Sequence, residues 1–211
     1  EWGGGIQIYG AARGPLSLLI HDNRLLEDRA SGNSNHWATS MWLCHNRYAA
    51  RSGVGAVRIY RNIDETWGGM TMSNARAYDI FENVFDGCSD AIYNGHGCPD
   101  TAGQTFGDHH ICQNVFRNAS NSLHPGGTSP AIAWYYYGDG GGTHLPSTIE
   151  SNQFENNDTA IEFSMDTAMA YPAYVVQGNI FTGNGVALDV FGANASAINA
   201  ASNYWGAADG P

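Results

Sequence analysis

The sequence predicts an all-β solenoid, with short strands wound into stacked coils that present three parallel sheets. Two observations carry this. An asparagine recurs at Asn23, Asn46, Asn83, Asn114, Asn152, Asn179 and Asn203, always in the same apolar setting. Three positions before it stand Ile20, Leu43, Ile80, Ile111, Ile149, Val176 and Ala200, and two positions after it Leu25, Tyr48, Phe85, Phe116, Phe154, Phe181 and Trp205. A second apolar stretch, led by a small alanine, follows each turn and returns nine residues after its asparagine at Ile92, Ile161 and Leu188. A register kept over the whole chain is a structural repeat.

The gaps between these asparagines are 23, 37, 31, 38, 27 and 24 residues, so one unit recurs and its middle copies carry inserts. Helical spacing at i, i+3, i+4 and i+7 is missing. Gly, Asn, Ser and Asp instead break each copy into period-two stretches, which is the chemistry of strands and turns. In chain order, Ile6-Gln7-Ile8-Tyr9 already reads as a strand within a coil. Ile20 to Leu25 and Leu43 to Tyr48 give the first two asparagine turns, and Ala56-Val57-Arg58-Ile59 the third-sheet strand after them. Four coils follow, with third strands at Ala91-Ile92-Tyr93, Ala131-Ile132-Ala133-Trp134, Ala160-Ile161-Glu162-Phe163 and Ala187-Leu188-Asp189-Val190. The last turn is Ala200, Asn203 and Trp205.

Asparagine suits such a turn because it tolerates the left-handed conformation and bonds its own backbone. Stacked at the strand spacing of roughly 4.8 Å, its amides also bond from coil to coil. The aromatic residue two positions later then forms an interior column that only neighbouring coils complete. Inserts at residues 61–79, 94–110 and 137–148 leave after the third strand and would wall a groove beside it.

These units resemble the right-handed parallel β-helix repeats of the pectate lyase-like superfamily, over nearly the whole chain. The closing Asn203-Tyr204-Trp205-Gly206-Ala207-Ala208-Asp209-Gly210-Pro211 is similar to the Asn-x-Trp-Gly…Gly-Pro ending of secreted bacterial and archaeal β-helix proteins. The resemblance implies a right-handed parallel β-helix of about seven to nine coils. It fixes the fold and leaves the chemistry open.

At 211 residues the chain reads as one domain, 1–211, a processed protein or a fragment whose upstream coils are missing. It has no apolar run long enough to span a membrane. The net charge is −11, all nine basic residues are arginines at or before Arg117, and eight acids follow. A nucleic-acid partner is excluded by the absence of a basic face, and any arginine clamp for an acidic sugar is confined to the first half. Cys44, Cys88, Cys98 and Cys112 suit one or two disulfides, with Cys88 to Cys98 or Cys88 to Cys112 conceivable, or else inert thiols. Zinc is disfavoured, since no Cys-x-x-Cys occurs.

Chemistry is expected on the third sheet, where alternation turns Arg58, Tyr93, Ala133, Glu162 and Asp189 outward, with Tyr60 and Tyr135 one pleat further. Resemblance to β-helix polysaccharide lyases and hydrolases implies that this face holds an extended sugar chain. Tyr60, Trp67, Tyr93, Tyr135, Tyr136 and Tyr137 offer flat faces with polar rims, suited to pyranose rings. The same aromatics would serve equally to anchor inserts. Glu162 and Asp189, each ten residues after its asparagine, should project side by side. That arrangement suits the carboxylate pair of a retaining glycosidase, a calcium ion, or two solvated acids.

Gly95-His96-Gly97, followed by Asp108, resembles one motif of polygalacturonases, although the paired Asp-Asp is absent and the Arg-x-Lys motif is impossible without lysine. Arg58, Tyr60, Tyr93 and His96 would divide the roles of a uronate lyase: charge neutralisation, base and acid. The adjacent His109 and His110 point opposite ways in an extended chain, so no metal ligand set is assigned. Sequons stand at Asn118, Asn157 and Asn194. The first functional reading is an extracellular monomer, or a periplasmic one, that binds a polysaccharide or cell-surface glycan and degrades or modifies it as a lyase, hydrolase or epimerase. The second is a non-enzymatic adhesin-type solenoid, and the third periplasmic metal handling.

Overall fold

The computed structural model describes residues 5–9, 17–26, 39–44, 53, 56–96, 105–120, 129–136, 143–164, 173–192 and 198–206. Among them there is no helix, and the chain winds as a right-handed parallel β-helix with three large sheets. Sheet 1 precedes the asparagine turn. Its strands are β2 (Leu18–His21), β5 (Val57–Tyr60), β8 (Tyr78–Phe81), β12 (His110–Cys112), β16 (Thr148–Glu150), β19 (Tyr174–Gln177) and β22 (Ile198–Asn199). Sheet 2 follows the turn with β3 (Arg24–Leu26), β6 (Ile63–Glu65), β9 (Val84–Asp86), β13 (Val115–Arg117), β17 (Gln153–Glu155) and β20 (Ile180–Thr182). Sheet 3 contains β1 (Ile6–Tyr9), β4 (Met41–Cys44), β7 (Met70–Thr71), β10 (Ile92–His96), β14 (Pro130–Tyr136), β18 (Thr159–Ser164) and β21 (Val186–Phe191). All pairings are parallel, so each turn of chain climbs by one strand.

The asparagines form a continuous hydrogen-bonded ladder, but its second member is Asn62 rather than Asn46. Asn62 Oδ1 accepts from the Asn23 backbone N–H at 3.1 Å and from its Nδ2 at 2.9 Å. Asn62 Nδ2 donates to the Ile20 carbonyl at 3.0 Å and to Asn83 Oδ1 at 2.9 Å. The pattern continues through Asn114, Asn152, Asn179 and Asn203. Asn46 and Tyr48 lie outside the described residues, while Leu43 sits in β4 of sheet 3. Asn62 escapes the sequence pattern because an acid, Asp64, stands where the other copies place a large apolar residue.

This correction moves two candidate residues. Val57–Tyr60 is a sheet 1 strand, paired with β2 and β8, so Arg58 and Tyr60 are not on sheet 3. The third strand of that coil is β7, which lies within the segment 61–79 expected to be an insert. The segments 94–110 and 137–148 do interrupt the coil, and each carries a short strand, β11 (Thr105–Gly107) and β15 (Thr143–Leu145), which pair with each other.

The left-handed residue of each turn is the one before the asparagine: Asp22, Arg61, Glu82, Gln113, Ser151, Gly178 and Ser202 have φ between 52° and 62°. The asparagine contributes its amide instead. A second turn, after sheet 2, repeats the device, with Asn157 donating to Asn184 Oδ1 at 2.9 Å and accepting from the Ala119 N–H at 3.0 Å.

Inside, Phe85, Phe116, Phe154 and Phe181 stack at centroid spacings of 5.1, 5.0 and 4.9 Å. Trp205 continues the column on Phe181 at 4.8 Å and is half-buried. The four phenylalanines come from the sheet 2 strands β9, β13, β17 and β20, and the register pairs ring with ring. At the other end the column meets Asp64, the register partner of Phe85 and Leu25.

Cys44, Cys88 and Cys112 form no disulfide, which removes the Cys88 to Cys98 and Cys88 to Cys112 pairings. Cys88 fills the second-turn position and donates its Sγ–H to the Asp64 carbonyl at 3.3 Å. Burial, then the charges of Glu150, Asp79 and Glu82, push the Cys112 thiol up to about 11, so it stays protonated and unreactive.

Candidate functional site on the outer face of sheet 3

Ile92, Ile132 and Ile161 are Cα partners and point into the core, where all three are buried. Strand alternation then turns Tyr93, Ala133 and Glu162 outward in one row, which Thr71 extends on one side and Asp189 on the other. One pleat further lie Gly95, Tyr135 and Ser164. The rings of Tyr93 and Tyr135 approach to 5.5 Å between centroids with a 39° tilt. A Cβ at residue 95 would sit 2.5 Å from Tyr93 Cε1 and 2.9 Å from its hydroxyl oxygen, so any other residue there would displace the Tyr93 ring. Gly95 thus lets the Tyr93 ring lie across its own strand towards Tyr135.

Glu162 is 2% exposed although its position faces outward. The Tyr135 hydroxyl donates to Glu162 Oε1 at 2.5 Å, while Oε2 is enclosed and has no hydrogen-bond partner. Asp189 is its Cα partner and is half-buried. The two acids therefore stand side by side in register, as their equal offsets predict, but in different surroundings.

Asp90, two residues before Ile92, adopts a left-handed φ of 52°. The residue as a whole is half-buried, yet its Oδ1 is enclosed and has no hydrogen-bond partner. The enclosed carboxyl governs its proton: burial, and then the charge of Glu162, push the Asp90 carboxyl up to about 7. The sequence pattern did not single out Asp90 as a site residue. The signal that would have found it is an acid directly before the small Ala91 that leads the third strand.

The other candidates are dispersed. Arg58 is exposed on sheet 1, in register with Leu19 and Asp79. Tyr60 is sandwiched between His21 and Phe81, each 4.9 Å away and nearly parallel, and the Arg61 guanidinium lies 4.7 Å from its ring centre. Both faces of Tyr60 are therefore occupied, and a sugar cannot stack there. The lyase set of Arg58, Tyr60, Tyr93 and His96 is split between two sheets. His96 ends β10 as the Cα partner of Tyr136. Asp108 lies beyond β11 at the corner leading into sheet 1, with φ 58°, and does not share a strand with Tyr93. Trp67 is half-buried at the corner between sheets 2 and 3, where its carbonyl accepts from the Ser89 N–H at 2.6 Å. Tyr137 lies outside the described residues.

The histidines follow the alternation. His109 is buried, with Nδ1 accepting from the Tyr78 N–H at 3.2 Å, whereas His110 turns outward to Glu150 at 2.8 Å. No group of three His, Cys, Asp or Glu suited to a metal ion occurs among the described residues. No described helix is long and apolar enough to cross a membrane. Comparison with protein-family models, curated proteins and solved structures returns no match to this chain.

Proposed function

We propose that this protein is a carbohydrate-interacting β-helix of the pectate lyase-like superfamily, secreted to the cell exterior or the periplasm, which holds a glycan chain against the outer face of sheet 3. The observation that carries this reading is the tilted pair of Tyr93 and Tyr135 on outward positions, with the Tyr135 hydroxyl bound to Glu162. Aromatic faces beside carboxylate acceptors are what pyranose rings use: C–H edges stack on the ring and hydroxyls donate to the acid. One strand, β14, separates Tyr93 from Glu162, so successive residues of an extended polymer would run along the helix axis.

A binding panel of neutral and uronic polysaccharides, read by calorimetry, tests this. Tyr93→Ala and Tyr135→Ala should each weaken binding while circular dichroism and the melting temperature show a folded chain. Unchanged affinity in both variants, or a panel with no binder, would remove the reading. The structural-solenoid alternative is favoured by one observation, the near-complete burial of Glu162 on an outward position. A stalk with a packed outer face predicts no glycan binding at all.

A further inference from the structure

Every joint between successive asparagines of the ladder is built alike. The asparagine of one coil donates its backbone N–H to Oδ1 of the asparagine in the next, and its carbonyl accepts the N–H of the residue after that asparagine. The exchange recurs at each joint from Asn23 to Asn203. It has a direction, so the two ends of the ladder differ. Among the described residues, nothing pairs with the N–H and carbonyl of Asn203 at one end, or with Asn23 Oδ1 and the Arg24 N–H at the other. Each end offers what the other lacks.

The core is open at the same two places. β1 and β21 are the outermost strands of sheet 3. Ile6 and Ile8 of β1 are half-buried, while their Cα partners Met41 and Leu43 are buried. Leu188 and Val190 of β21 are half-buried in the same way, against Ile161 and Phe163, which are buried. In sheet 1, Leu18 and Ile198 stand half-buried beside buried Val57 and Tyr174. The interior column likewise ends on half-buried Leu25 and Trp205. Apolar surface beside unpaired strand edges favours the addition of another coil.

We propose that this chain associates head-to-tail, with the face formed by β21, β22 and Trp205 of one copy seated on β1, β2 and β3 of a second copy. Asn203 then donates to Asn23 Oδ1 of the second copy and accepts from its Arg24 N–H, which repeats the joint made inside each molecule. Two like ends meeting about a two-fold axis would set the Asn203 N–H against its own counterpart and run the edge strands antiparallel. A different protein would need an asparagine ladder of its own at the same place in its coils. The contact is heterologous and leaves one free end on each side, so it builds an open chain rather than a closed dimer or the monomer expected from the sequence. Sheet 3 of one copy continues into sheet 3 of the next. The inference does not rest on the glycan reading.

The experiment is sedimentation velocity on the purified chain over a rising concentration series. The shared net charge of −11 opposes the approach of two copies, so the series is run in enough salt to screen it. The wild-type mass should climb past that of a dimer without a plateau. Ile6→Lys and Leu188→Lys each place an ammonium at one end, where its apolar stem lets it reach water in a single copy and the contact would bury it. Each variant alone should stay monomeric where the wild type assembles. Mixed in equal amounts they should form a dimer and stop there, since each retains the end that the other has lost. Melting curves establish that the variants fold, Ile8→Lys and Val190→Lys replace a pair that does not, and the wild-type series stands if neither pair folds. A wild type that stays monomeric to its solubility limit, or that stops at a dimer, overturns the inference. Assembly undiminished in either variant alone, or a mixture that yields no dimer, also overturns it.

Discussion

Asp64 shows how one residue carries both a structural exception and a measurable consequence. It stands in the interior column where other coils place Leu25, Phe85 or Phe116, and it is 1% exposed. Thr66 supplies its backbone N–H at 3.0 Å and its hydroxyl at 2.7 Å to Oδ1. Ser40 Oγ lies within hydrogen-bond reach of both Asp64 Oδ2 and the Gly69 carbonyl, and one hydroxyl carries one proton. If Ser40 donates to the carbonyl, the hydrogen bond to Asp64 requires the carboxyl to be protonated. Burial pushes the Asp64 carboxyl upward, in the same direction. A carboxyl whose folded pKa is raised adds stability that is complete below its unfolded value of 3.8 and is lost as pH rises through the folded value. Asp64→Asn keeps the acceptor for Thr66 and supplies a permanent donor to Ser40. The variant should therefore be more stable than the wild type at neutral pH and lose that advantage towards pH 3. Chemical unfolding across pH checks this, and an equal pH dependence in both proteins would remove the neutral-acid assignment.

Asp64 also explains why the repeat was misread at one coil. A search for an apolar residue two positions after the asparagine rejects Asn62 and accepts Asn46, which happens to have Leu43 before it and Tyr48 after it. Only the hydrogen-bonded ladder separates the two. The left-handed position was misplaced by one residue for a related reason: asparagine is common at such positions, but here side-chain amides bonding between coils fix its place.

Among the elements, sheet 2 was legible except at β6, because every other strand has one inward residue that is large and apolar. Strands of three residues cannot bury a core individually, so the ring of each depends on the rings above and below. Phe154→Ala should cost about 3–5 kcal/mol, because Phe116 and Phe181 both lose a stacking partner. Urea unfolding gives the number, and a loss under about 1 kcal/mol, less than even a partly collapsed cavity costs, would contradict a shared column. Sheet 3 was legible from Ala91 onward and not before it. The strand Met70–Thr71 has two residues, follows Gly69 rather than alanine, and is too short for period-two alternation to reveal. Arg58 and Tyr60 were assigned to sheet 3 in its place. Alternation alone correctly paired Glu162 with Asp189 but said nothing of what covers Glu162 or of Asp90, because burial of an outward residue is a tertiary property.

At the scale of the whole molecule, the two ladders, of asparagine amides and of aromatic rings, run along the axis through coils of unequal length. The sequence separations between laddered asparagines range from 21 to 39 residues, yet the register at each turn is unchanged. Inserts of different length are absorbed at the corners, which leaves sheet 3 a regular platform and makes its outer face the place where side chains from distant coils meet. Tyr93, Tyr135 and Glu162 come together there through strand register alone. The most direct test of that face as a glycan site is backbone-amide NMR of the labelled protein titrated with a neutral oligosaccharide. The account predicts saturable shifts concentrated at Tyr93 to Gly95, Ala133 to Tyr135, Glu162 and Asp189, with sheet 1 residues such as Arg58 and Phe81 unmoved. Saturable shifts centred on sheet 1 or sheet 2, with the sheet 3 amides unchanged, would contradict it.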